Sequence, residues 1–477
     1  MDLEQLEQTI RYVNQNWIWG PPAWGILLGV GLILSIRLGF MQIFKFPHYI
    51  DRTILDIFRK PENRKSGPIK GDGDITPWQA INTAFCATMG VGTLAGTATA
   101  IGFGGPGAVF WMWVVAFFGI TTKFSEVVLA VHFRQKNAKG EILSGPFAYM
   151  EKGLGWKPLA VIFAIFGTLA SFGIGNMVQS NSAALALNHV FDAPRLWVGI
   201  IAAFLIGLVV IGGLKVIAKV VEKLIPFLAM LSILTAIIIV LSNVSAVPHA
   251  FYLIFSGAFS GRGLAGGVAG VGVMYAIRFG LMRGIFSNEA GLGSSPIAYA
   301  AAKTDHPVKQ GLWASFEVFL DTHVMCTLVA LVILTQVPLA EIAPGTAPGM
   351  TGAVLVIEAY GRSFLGAGFG SGLMAFLIAT FGFSTVIGWT FYGEKCFEYL
   401  FGLKFILGYR LIMLPICVAG ALGGLGMIWA IADGLNAFMA LPNVLAVLLL
   451  SGTVVKLYKG YFNNEPYEIP DWQKEKK

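Results

Sequence analysis

A chain of 477 residues in which stretches of roughly twenty apolar residues recur about eleven times has few ways to fold. Inside hydrocarbon every backbone N–H and C=O needs an internal partner, so each stretch reads as a membrane-spanning helix. The stretches begin near residues 20, 76, 106, 158, 196, 223, 265, 309, 368, 405 and 432. Composition agrees: 56% of residues are apolar and 12% charged, where a soluble domain carries about 25% charge. The expected fold class is an all-α integral membrane protein.

Two of these stretches carry residues that hydrocarbon does not tolerate. Residues 280–296, GLMRGIFSNEAGLGSSP, bring Arg283, Asn288, Glu289 and several glycines to membrane depth. Residues 82–100 do the same with Gly90, Gly92, Thr93 and Gly96. Irregular backbone survives at that depth only where it is buried in protein or lines a wet cavity. Both segments are therefore expected to be broken helices at a binding site, and a corresponding pair of interrupted segments in two halves points to a secondary transporter.

If the first helix is peripheral, the other ten form two sets of five. Five is odd, so the second set runs opposite to the first and the broken helices are the first members of an inverted repeat. The expected organisation is 1–75 for an N-terminal helix and basic loop, 76–246 and 247–457 for the two repeats, and 458–477 for a tail. Two shorter apolar pieces, residues 251–259 and 351–360, read as external helices or gates.

Alternate connections are rich in Lys and Arg: Lys45 to Lys70, then Arg134 to Lys157, then Lys215, Lys219 and Lys223. The other set holds little beyond Arg11, Arg195, Arg262 and Arg362. The positive-inside rule then puts the N-terminus outside and the lysine-bearing C-terminus in the cytoplasm. Tryptophans fall near the ends of the stretches as an interfacial belt, with Trp389 the exception well inside the ninth. The net charge of +7 is topological rather than a nucleic-acid footprint, since no basic stripe is interleaved with stacking aromatics. Cys86, Cys326, Cys396 and Cys417 lie in apolar stretches without CxxC spacing and read as small buried side chains. The first sixteen residues lack the pattern of a cleaved signal.

The GVGTLAG turn at 90–96 frees backbone groups: a half-helix N-terminus suits a carboxylate, and freed carbonyls suit a cation. Gly92 and Gly96 also have the spacing of a helix-packing face. Ser287 and Asn288 offer oxygens to substrate or cation, and Glu289 needs a partner, with Arg283 and Arg278 within reach. Asn176, Gln179 and Ser180 bring amides and a hydroxyl to mid-span. Lys123 and Glu126, at i and i+3, read as a local ion pair. Glu317 and Asp321, one turn apart beside His323, imitate a catalytic carboxylate pair, and His323 with Ser287 imitates a nucleophile and base. Neither comes with the cleft such chemistry needs, so an enzyme is not expected.

The chain resembles the alanine or glycine:cation symporter family, also called the sodium:alanine symporters. The match is carried by GGPGAVFWMWVVAFFG at 104–119 and RGIFSNEAGLGSSPIA at 283–298. GNMVQSNS at 175–182, FLDTHVMCT at 319–327, FSTVIGWTFYGE at 383–394 and DGLNAFMALPN at 433–443 extend it over nearly the whole chain. The resemblance implies a leucine-transporter-like fold of ten core helices plus one, carrying a small neutral amino acid with Na⁺ across a prokaryotic inner membrane. It implies substrate contacts at Gly90, Gly92, Gly96, Asn176, Gln179, Gly284, Phe286 and Trp389, with Gln179 and Trp389 foremost. Cation ligands are expected at Thr93, Ser287, Asn288, Ser384 and Thr385, with Na⁺ as coupling ion and no organic cofactor. Proton-coupled members of the wider superfamily can replace a sodium with a lysine of the fifth core helix, and residues 225–244 hold none. One departure stands out: where the family typically reads GTGNIAG this chain reads GVGTLAG, with Val91 and Thr93 in place of a hydroxyl and an amide. That leaves room for another cargo, for H⁺ coupling, or for a sensor or channel on the same fold.

Overall fold

The computed structural model describes residues 18–59, 71–259, 269–342 and 350–470, with residues 5, 9, 12–14, 63 and 473. The expected start of the seventh helix near 265, and the charges of Arg11, Lys60, Arg64, Lys65, Lys70, Arg262, Lys474, Lys476 and Lys477, lie outside the described residues.

Helix follows helix along the chain. Pro21–Arg37 (α1) opens with Pro at its first turn, where the missing N–H costs nothing. Pro77–Thr88 (α2) starts at a capping box in which Thr76 and Gln79 satisfy each other's backbone N–H groups. Thr97–Gly104 (α3) and Gly107–His132 (α4) follow. A two-residue hairpin pairs Gln135–Lys136 (β1) with Ile142–Leu143 (β2). Then come Lys157–Phe172 (α5), Val178–Phe191 (α6), Arg195–Val210 (α7), Gly213–Ser242 (α8), Val247–Phe259 (α9) and Ala269–Asn288 (α10). Pro296–Ala300 (α11), Pro307–Val318 (α12), Thr327–Gln336 (α13), Gly352–Arg362 (α14), Gly366–Phe401 (α15), Ile406–Leu422 (α16), Leu425–Leu449 (α17) and Ser451–Phe462 (α18) complete the chain.

Among the described residues, seven helices are long and apolar enough to cross a membrane, or eight if the bent pair of α2 and α3 counts as one span. That is the firm count where eleven were expected. α1 and α7 are shorter apolar helices. A helix starts within a few residues of each expected position except three: the seventh, already noted, the sixth, where α8 begins ten residues early, and the eleventh, where α17 begins seven residues early. This corrects the fifth-core-helix expectation, because α8 includes Lys215, Lys219 and Lys223. All three are exposed. The external pieces are both helical, in α9 and α14. α18 runs across the expected boundary at 457.

α4 is the hub. It packs on α1, α10 and α12, and 83% of its spanning window is buried. α15, packed by α5, α6 and α14, is the second axis. Among the described residues, π-helical turns interrupt helices in mid-course at Gly92–Gly96 before α3, Gly173–Met177 between α5 and α6, and Phe319–Cys326 between α12 and α13. Such bulges re-aim side chains and leave carbonyls free, and they gather at functional sites.

Described residues near the two ends of the chain bond to different helices. Asn14 donates to the Ala430 carbonyl and Trp19 Nε1 to that of Asp433 at 2.8 Å, near the start of α17. Gln473 Nε2 donates to the carbonyls of Val131 (3.2 Å) and His132 (2.6 Å) at the end of α4. Nearby, His306 caps α12, its Nδ1 accepting the Val308 N–H at 3.1 Å, against Tyr461 and Tyr467.

Candidate functional site

The two expected interruptions are real and unlike each other. After Thr88 the chain leaves the helix at Met89, re-enters through the π-turn and bends by 43°. A Cβ on Gly92 would lie 2.8 Å from the Phe286 ring, so the approach of α10 requires glycine there. A Cβ on Gly96 would meet nothing nearer than the Val91 carbonyl at 3.9 Å, so the pair is not a helix-packing face. The second break is a loop at residues 289–295, where Glu289, Gly291 and Gly293 have φ of 57°, 92° and 79°. Gly284 lies inside α10, against Met112 and Val115 of α4, and not at the break.

Between the breaks sits Asp321, on the π-turn after α12 and fully buried. Its carboxylate accepts Thr93 Oγ1 at 2.6 Å, Ser287 Oγ at 2.6 Å and Thr322 Oγ1 at 3.0 Å. Thr93 and Ser287 are 3.3 Å apart, and Thr93 Oγ1 also reaches the Thr88 carbonyl at 3.1 Å. Every one of these partners is neutral, and among the described residues no ammonium or guanidinium bonds Asp321. A buried carboxylate with no ion-pair contact among the described residues, ringed by oxygens, suits a hard cation. The sequence had set Asp321 beside Glu317 as a false catalytic pair. The usable signal was simpler, since an intramembrane carboxylate marks a functional site by default.

The other expected residues fall into three groups. Gln179 reaches the first break, its Oε1 accepting the Val91 N–H at 3.3 Å while Nε2 donates to the Ile174 carbonyl at 3.0 Å. Phe286 covers Gly92 and stacks on Trp429 with centroids 5.0 Å apart. Trp389, 1% exposed, packs directly on the backbone of Gly175. Ser384 and Thr385 both donate to the Phe381 carbonyl, at 2.8 and 2.9 Å, with the Thr385 hydroxyl facing Gly90. Asn288 turns its side chain to Thr322 and the Ala290 N–H. Asn176 is turned away, donating to the Met413 carbonyl of α16 at 2.7 Å, with Ser180 bonded to it.

Three charge pairings differ from the local ones expected. Lys123 pairs with Glu317 at 2.8 Å rather than with Glu126, which is held by Asn443. Arg283 pairs with Asp433 of α17 at 2.8 Å, sandwiched near Trp429. Glu289 takes the hydroxyls of Ser294 (2.6 Å) and Ser295 (2.9 Å), since its left-handed backbone points it into its own loop and away from Arg283. Sequence neighbours predicted short-range partners, and tertiary packing supplied others. His323 stacks on Phe319, 5.8 Å between centroids, and does not meet Ser287.

Above the first break opens a cavity of about 280 Å³, lined by Ala95, Thr99, Met282, Arg283, Trp429 and Asp433 among others. Asn14, from the start of the chain, also lines it. The lysine-rich connections lie elsewhere, around a second cavity with Lys139, Lys215 and Lys404.

Comparison with known proteins shows the family and the fold. The profile of the Sodium:alanine symporter family matches residues 3–474. The Sodium/alanine symporter AgcS of Methanococcus maripaludis is 43% identical over 471 residues, covering 97% of this chain and 98% of that one. The Probable sodium/glutamine symporter GlnT of Bacillus subtilis is 36% identical over 461 residues, covering 96% and 91%. Among solved structures, MhsT in complex with L-phenylalanine aligns with a TM-score of 0.55 at 16% identity, over 82% of this chain and 90% of that one. That likeness is one of fold, and the leucine-transporter-like fold expected from the sequence stands.

Proposed function

Since the chain belongs to the sodium:alanine symporter family, we propose that it carries alanine, glycine or a similarly small neutral amino acid across the membrane with Na⁺, by alternating access. One observation supports the coupling most directly: Thr93 and Ser287, 194 residues apart and one from each interruption, meet on Asp321. Na⁺ takes the Thr93 and Ser287 hydroxyl oxygens, the Asp321 carboxylate and the Thr88 carbonyl as ligands. It thereby draws both breaks into one site, and linkage requires substrate to raise Na⁺ affinity by the factor Na⁺ raises substrate affinity. Ser384 and Thr385, opposite Gly90, are the candidates for a second ion.

The zwitterion sits against the freed backbone at residues 89–92. Gln179 and Phe286 border it, and Trp389 buttresses the wall behind. Entry is through the cavity above, and the Arg283–Asp433 pair stands at its edge as a gate. Adding α1, α7 and α10 to the eight spans gives eleven, arranged as the inverted five-plus-five repeat with one extra helix. The lysine-rich face is cytoplasmic and the cavity external, which places Asn14 outside and Gln473 inside. The membrane is the plasma membrane.

Labelled alanine uptake into proteoliposomes tests this, with inward Na⁺, K⁺ and H⁺ gradients compared and Thr93→Asn as a second sample. Accumulation with Na⁺ alone is expected from the parent chain. Equal uptake in all three gradients refutes Na⁺ coupling. Uptake by the Asn variant alone means that Val91 and Thr93 have changed the ion or the cargo.

A further inference from the structure

Lys123 has no part in the site just described, yet its ammonium is buried and bonds the residue next to Ser287. Its side chain and that of Glu317 are both fully buried. The ammonium donates to the carbonyl of Asn288, the last residue of α10, at 2.6 Å and to Glu317 Oε1 at 2.8 Å. Glu317 in turn accepts Thr88 Oγ1, at the last residue of α2, at 3.0 Å, and the Tyr299 hydroxyl at 2.8 Å. One ammonium and one carboxylate thus touch the ends of both half-helices, one helical turn from Asp321.

Stability alone does not explain such a pair, because two well-packed apolar side chains serve as well or better. The surroundings do. The carbonyl at a helix C-terminus is an orphan acceptor at the negative end of the dipole and attracts a cation. Around the ammonium lie Glu317, Glu126, Glu289 and Asp321, four carboxylates interacting with a single positive charge. The two oxygens that hold the ammonium, the Asn288 carbonyl and the Glu317 carboxylate, are of the kind that hold an alkali ion, and the Thr88 and Tyr299 hydroxyls fix the carboxylate in place. We propose that the Lys123 ammonium permanently fills a second cation position between the two breaks, so that the transport cycle runs with one fewer Na⁺ than the oxygens there could hold. The inference rests on the symport reading, which it deepens. Asp321, which has no ion-pair contact of its own among the described residues, is left as the carboxylate for Na⁺ to bind.

The measurement is charge moved per alanine, from currents and labelled uptake in the same proteoliposomes at pH 8. Lys123→Ala vacates the position and leaves Glu317 charged, so one additional positive charge per alanine is expected, with a steeper Na⁺ dependence. Lys123→Arg and the doubly neutral Lys123→Ala/Glu317→Gln are expected to keep the parent ratio. An unchanged ratio in Lys123→Ala overturns the proposal, as does the same added charge in the double variant. If Lys123→Ala is unfolded without salt, recovery of its thermal transition by Na⁺ but not by choline supports the proposal, and no recovery by Na⁺ overturns it. A parent chain with no Na⁺-driven uptake would refute the symport reading instead, while Na⁺ stabilisation of Lys123→Ala would still read the vacated position.

Discussion

The two interruptions began in the sequence as the same feature, glycines and polar residues inside an apolar stretch, and they end as different objects. The first is a helix that bulges and bends by 43°, its Thr93 hydroxyl directed outward to Asp321 on another helix. The second is a loop of three left-handed residues whose carboxylate closes on its own serines. The first break takes the carboxylate for its hydroxyl from another helix, whereas the second finds hydroxyls for its carboxylate within its own loop. A segment that borrows can change partners when an ion arrives, whereas one that satisfies itself keeps its shape. Ion dependence is therefore expected to reside at the first break and rigidity at the second.

Substitutions can break that contrast, and the largest effect should come from the borrowed partner. Asp321→Asn removes the charge that Na⁺ balances, and the half-saturating Na⁺ concentration in uptake should rise about a hundredfold, near 3 kcal/mol, as when one partner of a buried charge pair is lost. Little change in Na⁺ dependence would place the ion elsewhere. Glu289→Ala strands two buried hydroxyls, and the expected loss is about 1–3 kcal/mol of stability, read as a lower thermal midpoint, with Na⁺ affinity moving far less. A Na⁺ effect as large as that of Asp321→Asn would erase the distinction between the breaks. Within the first break, Gly92→Ala pushes a methyl into the Phe286 ring and should weaken alanine uptake about tenfold through overpacking of about 1–3 kcal/mol. Gly96→Ala, four residues on and with open space around it, should be close to neutral.

The smallest effect concerns the helix that presents Asp321. His306 caps that helix through a neutral Nδ1, and burial pushes its pKa down from 6.5 to about 4. The unfolded chain takes up the proton first, so this contribution to stability is intact above about 6.5 and is lost as the pH falls toward 4. The thermal midpoint of the parent should decline across that window, and His306→Asn, which can still cap, should flatten the decline.

Much of this was legible in the chain. Apolar runs gave helices close to their observed starts, and glycines with polar residues marked both breaks, because each is a local property of a short window. Gln179 and Phe286 entered as substrate contacts only through the family resemblance, and it is the structure that brings Gln179 to the first break and Phe286 against Gly92. What escaped depends on partners far apart in sequence. Asp321 and Thr93 are 228 residues apart, Lys123 and Glu317 are 194 apart, and Arg283 and Asp433 are 150 apart. For each, a neighbour three to six residues away offered itself as the partner or the explanation. The π-turns at Gly173–Met177 and Phe319–Cys326 leave no mark in composition, since a bulge of one residue barely shifts the apolar period. Where a buried charge had a polar neighbour on its own helix, proximity in sequence proved a poor guide to proximity in space.

The seam between Gln473 and the end of α4 bears on how the molecule is made. The carbonyls of Val131 and His132 are among the last acceptors of that helix, and a helix end needs such acceptors satisfied. Their partner is synthesised 341 positions after His132. During synthesis the central helix is made long before its C-terminal end is closed. A nascent chain therefore holds those acceptors open to water or to a chaperone until the tail emerges, and final closure of the bundle is a late event in biogenesis.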